Sequence, residues 1–134
     1  MCHYDSMKEH LIEIETHLQE DMLPFALQIE QLNTIYGIST TASCAIIAEI
    51  GIDMTPFKTA EHICSWAGLC PGNNESAGKR KSTSITKGNP YIKSMLCEIA
   101  WVIAGKRNTY LSAWYWRIKQ KKGARKAIVA LARK

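Results

Sequence analysis

Three serines and four cations share residues 73–90: Ser76, Ser82 and Ser84 beside Lys79, Arg80, Lys81 and Lys87. A hydroxyl among cations suits one kind of chemistry. Its oxygen can attack phosphorus while the neighbouring charges stabilise the negative charge that builds on the phosphoryl oxygens. The residue types do not choose among the three hydroxyls, and a solvated loop with incidental serines fits the same pattern. Other chemistries find less support. Two-metal hydrolysis needs several converging acids, but the chain after residue 78 carries only Glu98, and Glu49 and Asp53 lack a third partner. There is no P-loop, and His62 is the only histidine outside the N-terminal helical region, so no Ser/His/Asp set stands out.

Helical patterns must position this stretch from both sides. Residues 6–33 read as a long helix in which Leu11, Leu18, Phe25 and Leu32 recur every seven residues, with Ile14, Met22 and Ile29 between them. Such a narrow seam predicts a coiled-coil-like dimerisation helix over residues 1–33, interrupted at Pro24. Its other faces are acidic, so it could pair with its own copy or fold against a basic surface. His10, Glu13 and His17 share one face and read as solvated groups rather than metal ligands. Gly37 can end this helix in a left-handed conformation, and Ser39 or Thr40 can cap the next, which carries Ala42, Ala45, Ile46 and Ile50 to Gly51. The pattern Ile35-Tyr36-Gly37-Ile38-Ser39-Thr40-Thr41-Ala42 is similar to a helix-hairpin-helix unit, whose turn offers backbone N–H groups to a phosphate; Ser39 stands where a second glycine is usual. A plain packing corner fits equally well, which leaves Gly37, Ser39 and Thr40 as candidate contacts.

Thr59 opens a short helix through Ile63 and Trp66, ended by Gly68. Beyond the basic stretch, Asn89-Pro90 is a cap-plus-first-turn signal for a helix with Ile92, Leu96, Ile99, Val102 and Ile103 on its apolar face and Lys93 off it. Gly105 closes that helix, Asn108 is expected to cap the next, and Gly123 separates it from a last helix carrying Ala127, Ile128 and Leu131. The cluster Trp114-Tyr115-Trp116 suits core plus rim, or stacking on bases. The expected fold is therefore mainly α: a multi-helix domain over 34–134 with a helix-hairpin-helix-like unit and an irregular or hairpin basic loop.

Charge divides sharply. Residues 1–78 hold two cations against eleven acids, whereas residues 79–134 hold fifteen cations and one acid, for a net of +5 overall. From Lys106 to Lys134 there are ten cations and no acid. Such a half attracts polyanions, nucleic acid foremost. No apolar run is long enough for a membrane span. The five cysteines form no C-x-x-C pair and read as small apolar residues of a reducing cytoplasm.

The order of motifs adds a resemblance. Ile38 to Gly51, Phe57 followed after eight residues by Trp66-Ala67-Gly68-Leu69-Cys70-Pro71, then Ser76-Ala77-Gly78-Lys79-Arg80, then Ile85-Thr86-Lys87-Gly88-Asn89 with Tyr91-Ile92-Lys93, resembles the C-terminal domain of the IS-one-ten family of insertion-sequence transposases. These are DEDD enzymes that use a bridge RNA. The resemblance covers about residues 32–134, and the N-terminal helix looks like the family's dimerising coiled coil. It implies a serine, in a motif resembling S-G-G-K, that attacks DNA and becomes covalently linked to it. Ser76, Gly78 and Lys79 match that motif and make Ser76 the candidate nucleophile. Ala77 replaces the first glycine, which narrows the backbone's freedom. Lys79, Arg80, Lys81, Lys87 and Lys93 would then hold phosphates. The resemblance further implies a RuvC-like acidic domain ahead of residue 1 that carries the divalent metal. This chain is therefore expected to look like the C-terminal part, with no cofactor of its own and inactive alone. Its implied partners are DNA, a structured guide RNA and a second copy, in a nucleoid-associated setting.

Overall fold

The computed structural model describes residues 3–72, 74–76, 79–82 and 84–134, with side chains described outside 73–83. Seven α-helices and one two-stranded hairpin are described: α1 His3–Met22, α2 Ala26–Asn33, α3 Thr40–Ile50, α4 Ala60–Trp66, β1 Asn74–Ser76, β2 Lys79–Ser82, α5 Pro90–Gly105, α6 Tyr110–Lys122 and α7 Ala124–Arg133. The protein is mainly α, as the periodicities predict.

Pro24 interrupts the first helical stretch as expected. A 3-10 turn, Leu23–Phe25, separates α1 from α2, because proline has no N–H to give and its ring crowds the preceding turn. No residue of α1 is buried; Leu11, Ile14 and Leu18 are 59%, 63% and 44% exposed. Their seam has no partner within the described chain. Lower down, Met22, Phe25 and Ile29 are half-buried and α2 packs on α3.

The core is built around α5. Ile92, Ile99, Ala100, Ile103 and Ala104 form its buried face and meet Ala42 and Ile46 of α3, Tyr115 of α6, and Ala127, Ile128 and Leu131 of α7. Ile92 and Leu69 are almost fully enclosed, each contributing about 1.5–3 kcal/mol of burial. Val102 departs from the expected face and is 53% exposed, since it flanks the turn before α3 rather than a helix. The aromatic triplet divides into core and rim. Tyr115 is 1% exposed, Trp114 is half-buried, and Trp116 is 48% exposed with its ring edge-on to Tyr115 at 5.5 Å.

Most helix ends follow the sequence signals. The Ser39 hydroxyl accepts from the Ala42 N–H at 3.3 Å, and the Asn89 carboxamide oxygen accepts from Tyr91 and Ile92 N–H at 2.9 and 3.3 Å. One expectation is corrected. Thr109, not Asn108, caps α6, because Asn108 takes a left-handed conformation at φ 62° and turns the chain. Thr109 is extended and its hydroxyl accepts from the Ser112 N–H at 3.2 Å. Buried Ser112 then donates to the Ala104 carbonyl at 3.1 Å, which satisfies a group at the open end of α5.

Candidate nucleic-acid interface

The basic stretch is a hairpin rather than irregular. β1 and β2 pair antiparallel, with Ser76 opposite Lys79, Glu75 opposite Arg80 and Asn74 opposite Ser82. The register thus brings the backbone of the candidate nucleophile beside that of the first cation of the Lys79-Arg80-Lys81 run. Ala77 and Gly78 lie outside the described residues, as do the side chains of Ser76, Lys79, Arg80, Lys81 and Ser82.

The root of the hairpin explains how a polar segment without apolar periodicity is held on a helical frame. Pro71 and Ile85 form an isolated antiparallel bridge below the strands. Gly72 N–H donates to the Ser84 carbonyl at 2.8 Å, Thr86 N–H to Cys70 at 3.0 Å, and Asn89 N–H to Trp66 at 3.0 Å. These bonds need the two chain segments to touch through backbone. They touch at Gly68 and Gly88. A Cβ on Gly88 would lie 2.3 Å from the Gly68 nitrogen and 2.4 Å from the Trp66 oxygen, closer than real Cβ atoms come. Gly68 also has φ +69° and faces the Thr86 oxygen and Gly88 nitrogen at 2.9 and 2.8 Å in the same sense. The two glycines that bracket the basic stretch in sequence are therefore its structural clasp.

Asn89 ties this clasp to the core. Besides capping α5, it donates through its amide to the Glu49 carboxylate at 2.6 Å, which joins the end of α3 to the start of α5. A carboxylate there is also favoured by the positive end of the α5 dipole. Exposed Lys87 precedes the clasp, and half-buried Lys93 sits one turn into α5. Both cations therefore lie at the hairpin root.

The α2–α3 corner is elsewhere. Gly37, at φ +92°, packs on the far half of α5: a Cβ would lie 2.9 Å from Ile103 Cγ1 and 3.5 Å from the Ile99 oxygen. At 1.5 Å per residue, that contact is about 15–20 Å along α5 from Asn89. The structure does not gather Gly37, Ser39 and Thr40 into one site with the hairpin. Their hydroxyls also have local work, since Thr40 Oγ1 accepts from Asn33 Nδ2 at 3.2 Å and Ser39 caps α3. Asn33 in turn accepts from the buried Ser43 hydroxyl at 2.8 Å, so this corner is held by a polar relay.

A metal does not fit the donors in view. Among the described residues no group of three His, Cys, Asp or Glu side chains could hold one. Asp53 spends both oxygens on Thr55, with its N–H at 2.9 Å and its hydroxyl at 2.8 Å; the backbone bond foremost, then the hydroxyl, hold this carboxyl below its ordinary range. His17 faces Glu20 at 3.7 Å. Burial pushes the Cys64 and Cys97 thiols up, against the nearby charges of Arg133 and Lys93 respectively, so neither is disposed to form a thiolate.

The sequence that builds these elements matches a known family model. Residues 29–117 match the model described as "Transposase IS116/IS110/IS902 family". The chain belongs to this family. The match spans two thirds of the chain, from within α2 to within α6, and takes in the corner, the clasp and the hairpin. Comparison with curated proteins and with solved structures returned no match. Membership assigns this transposase-family chain to DNA transposition, and so to DNA. No helix among the described residues is long and apolar enough to cross a membrane. Sequence reading found the basic stretch and its serines but missed Gly68 and Gly88 as a clasp. The available signal was the symmetry of two glycines, each beside a turn, on either side of one polar segment.

Proposed function

We propose that the hairpin is the DNA-contacting, serine-bearing element of this transposase domain. Lys79, Arg80, Lys81, Lys87 and Lys93 hold backbone phosphates, and Ser76 is the nucleophile. The Ser76 oxygen attacks a phosphodiester phosphorus. A serine–phosphate ester forms, one bridging P–O bond breaks, and the departing strand end leaves as a free hydroxyl carrying the proton that Ser76 gives up. The observation that carries this reading is the register that sets Ser76 opposite Lys79 on a hairpin clasped to the core. On this reading the divalent metal of the reaction is held by a separate acidic domain. On this reading residues 34–134 are the C-terminal, DNA-contacting body of a bridge-RNA-using DEDD enzyme. Residues 1–33 pair two copies through the exposed seam of α1.

Binding to duplex DNA across a salt series tests the phosphate contacts. Affinity should fall steeply with salt, and Lys79→Gln with Arg80→Gln should flatten the logarithmic slope by about 0.9 per lost phosphate contact. An affinity indifferent to salt overturns the reading. For the nucleophile, an acidic domain supplied in trans should yield a denaturant-resistant protein–DNA adduct. If Ser76→Ala forms that adduct as well as the parent, Ser76 is not the nucleophile.

A further inference from the structure

We infer that the cleft between α6, α7 and the hairpin root holds an unpaired DNA strand. The cleft has a volume of about 1000 Å³. Its floor is apolar, made by Leu69, Pro71, Ile85, Trp114, Ile118 and Val129. Its rim is Lys121, Lys122, Arg125, Lys126, Arg133 and Lys134, and no acid among the described residues lines it. Gly123 makes this rim: at φ +82° it ends α6 and starts α7, which brings the basic ends of two helices together. Among the described residues no salt bridge engages any of these six cations. The His17–Glu20 pair lies away on α1, and Arg133 acts on the Glu61 carboxylate only as a minor cause behind local hydrogen bonds. Family membership does not assign the cleft, because the match ends at residue 117 and all six rim residues lie beyond it.

The pairing of floor and rim selects the occupant. A duplex turns its phosphates outward and hides its base faces, so it could engage the rim but would leave the apolar floor wet. An unpaired strand offers both, with phosphates for the six cations and base faces for Trp114 and the aliphatic floor. Lys134 stands over the rings of Trp114 and Tyr110 at 5.4 and 5.3 Å, so a base that stacks on Trp114 takes the place of this cation and leaves it to meet the adjoining phosphate. The lining favours DNA over RNA. Among the described residues it contains no hydroxyl, amide or carboxylate side chain to meet a 2′-hydroxyl, whereas an apolar floor suits deoxyribose and the thymine methyl. Pro71 and Ile85 belong both to the floor and to the bridge beneath the hairpin, so a strand in the cleft lies at the base of the segment that carries Ser76. This inference rests on the proposed DNA contact for the identity of the polymer, and adds where a separated strand goes.

The test measures fluorescence anisotropy of the 134-residue chain with an oligothymidylate of about 15 nucleotides, the matching oligouridylate and a duplex of equal length. The oligothymidylate should bind most tightly. The exposed pair Lys122→Gln with Arg125→Gln should flatten its logarithmic salt slope by about 1.4, at roughly 0.7 per phosphate on a single strand. Trp114→Leu should weaken oligothymidylate about tenfold and leave duplex affinity unchanged. If Trp114→Leu does not fold, photo-crosslinking of 4-thiothymidine in the oligomer to the parent replaces it, and the adduct should map to residues 114–130. Oligouridylate binding as tightly as oligothymidylate overturns the assignment to DNA, and equal competition by duplex overturns the unpaired strand. A rim that captures anionic vesicles in preference to the oligomer overturns both. Oligothymidylate binding that responds to Lys79 and Arg80 but not to Lys122, Arg125 or Trp114 removes the cleft and leaves the hairpin reading standing. Absence of binding to any nucleic acid removes the hairpin reading as well.

Discussion

Replacing Gly88 with alanine would put a methyl group 2.3 Å from the Gly68 nitrogen, 2.4 Å from the Trp66 oxygen and 2.6 Å from the Ala67 carbonyl carbon. All three are backbone atoms, so no side-chain rotation can relieve the clash and the two segments must part. Overfilling a tight contact costs about 1–3 kcal/mol. Parting them also weakens the Asn89 N–H to Trp66 and Thr86 N–H to Cys70 bonds, at about 1 kcal/mol each. Buried Ala67 and Leu69 flank the same contact. The expected loss is about 3–5 kcal/mol, a large part of the total stability of an ordinary domain. Urea denaturation measures it, and salt-dependent DNA binding reports whether the hairpin keeps its place. Gly105→Ala is the control: it ends α5 in open space without positive φ, and should be neutral or stabilising by up to about 1 kcal/mol. If Gly88→Ala stays within about 0.5 kcal/mol of the parent, or matches Gly105→Ala, the clasp argument is wrong.

Asn89→Ala removes the cap of α5 and its bond to Glu49, and should cost about 1–2 kcal/mol by the same denaturation measurement. Tyr115→Phe should be neutral or stabilising by up to about 1 kcal/mol, because the Tyr115 hydroxyl is buried with no hydrogen-bond partner among the described residues; a clear loss of stability would mean that the hydroxyl is paired. Burial raises the Cys64 and Cys97 thiols above their ordinary value of 9.0. The unfolded chain therefore releases these protons first as pH rises, binds fewer than the folded chain, and stability falls above about pH 9. Stability measured from pH 7.5 to 10.5 should decline less in Cys64→Ala with Cys97→Ala than in the parent, and parallel curves would contradict the assignment.

Much of the fold is legible in the residues because its signals are local. Pro24 breaks the first helix, Ser39 and Asn89 cap theirs, and Gly123 turns the chain, each through groups within four residues. Asn108 and Thr109 show the limit of such reading. Both are good caps, and the choice fell to whichever residue was extended once Asn108 had taken the left-handed turn. Val102 sits on the apolar stripe of α5 by periodicity, yet it is exposed, flanking the turn at Gly37.

The candidate site divides in the same way. Sequence alone supplied the candidate chemistry of serines among cations, a basic half beyond residue 78, and the match that places the chain in a transposase family. Tertiary structure decided that the basic stretch is a hairpin, that the α2–α3 corner and the hairpin lie at different parts of α5, and that the ends of α6 and α7 meet Pro71 and Ile85 around one cleft. The reason is distance along the chain. A cap or a break is an interaction between neighbours and is written in adjacent letters. The clasp joins Gly68 to Gly88 across twenty positions, and its signal is the absence of a Cβ, which takes on meaning only when the opposing backbone is in place.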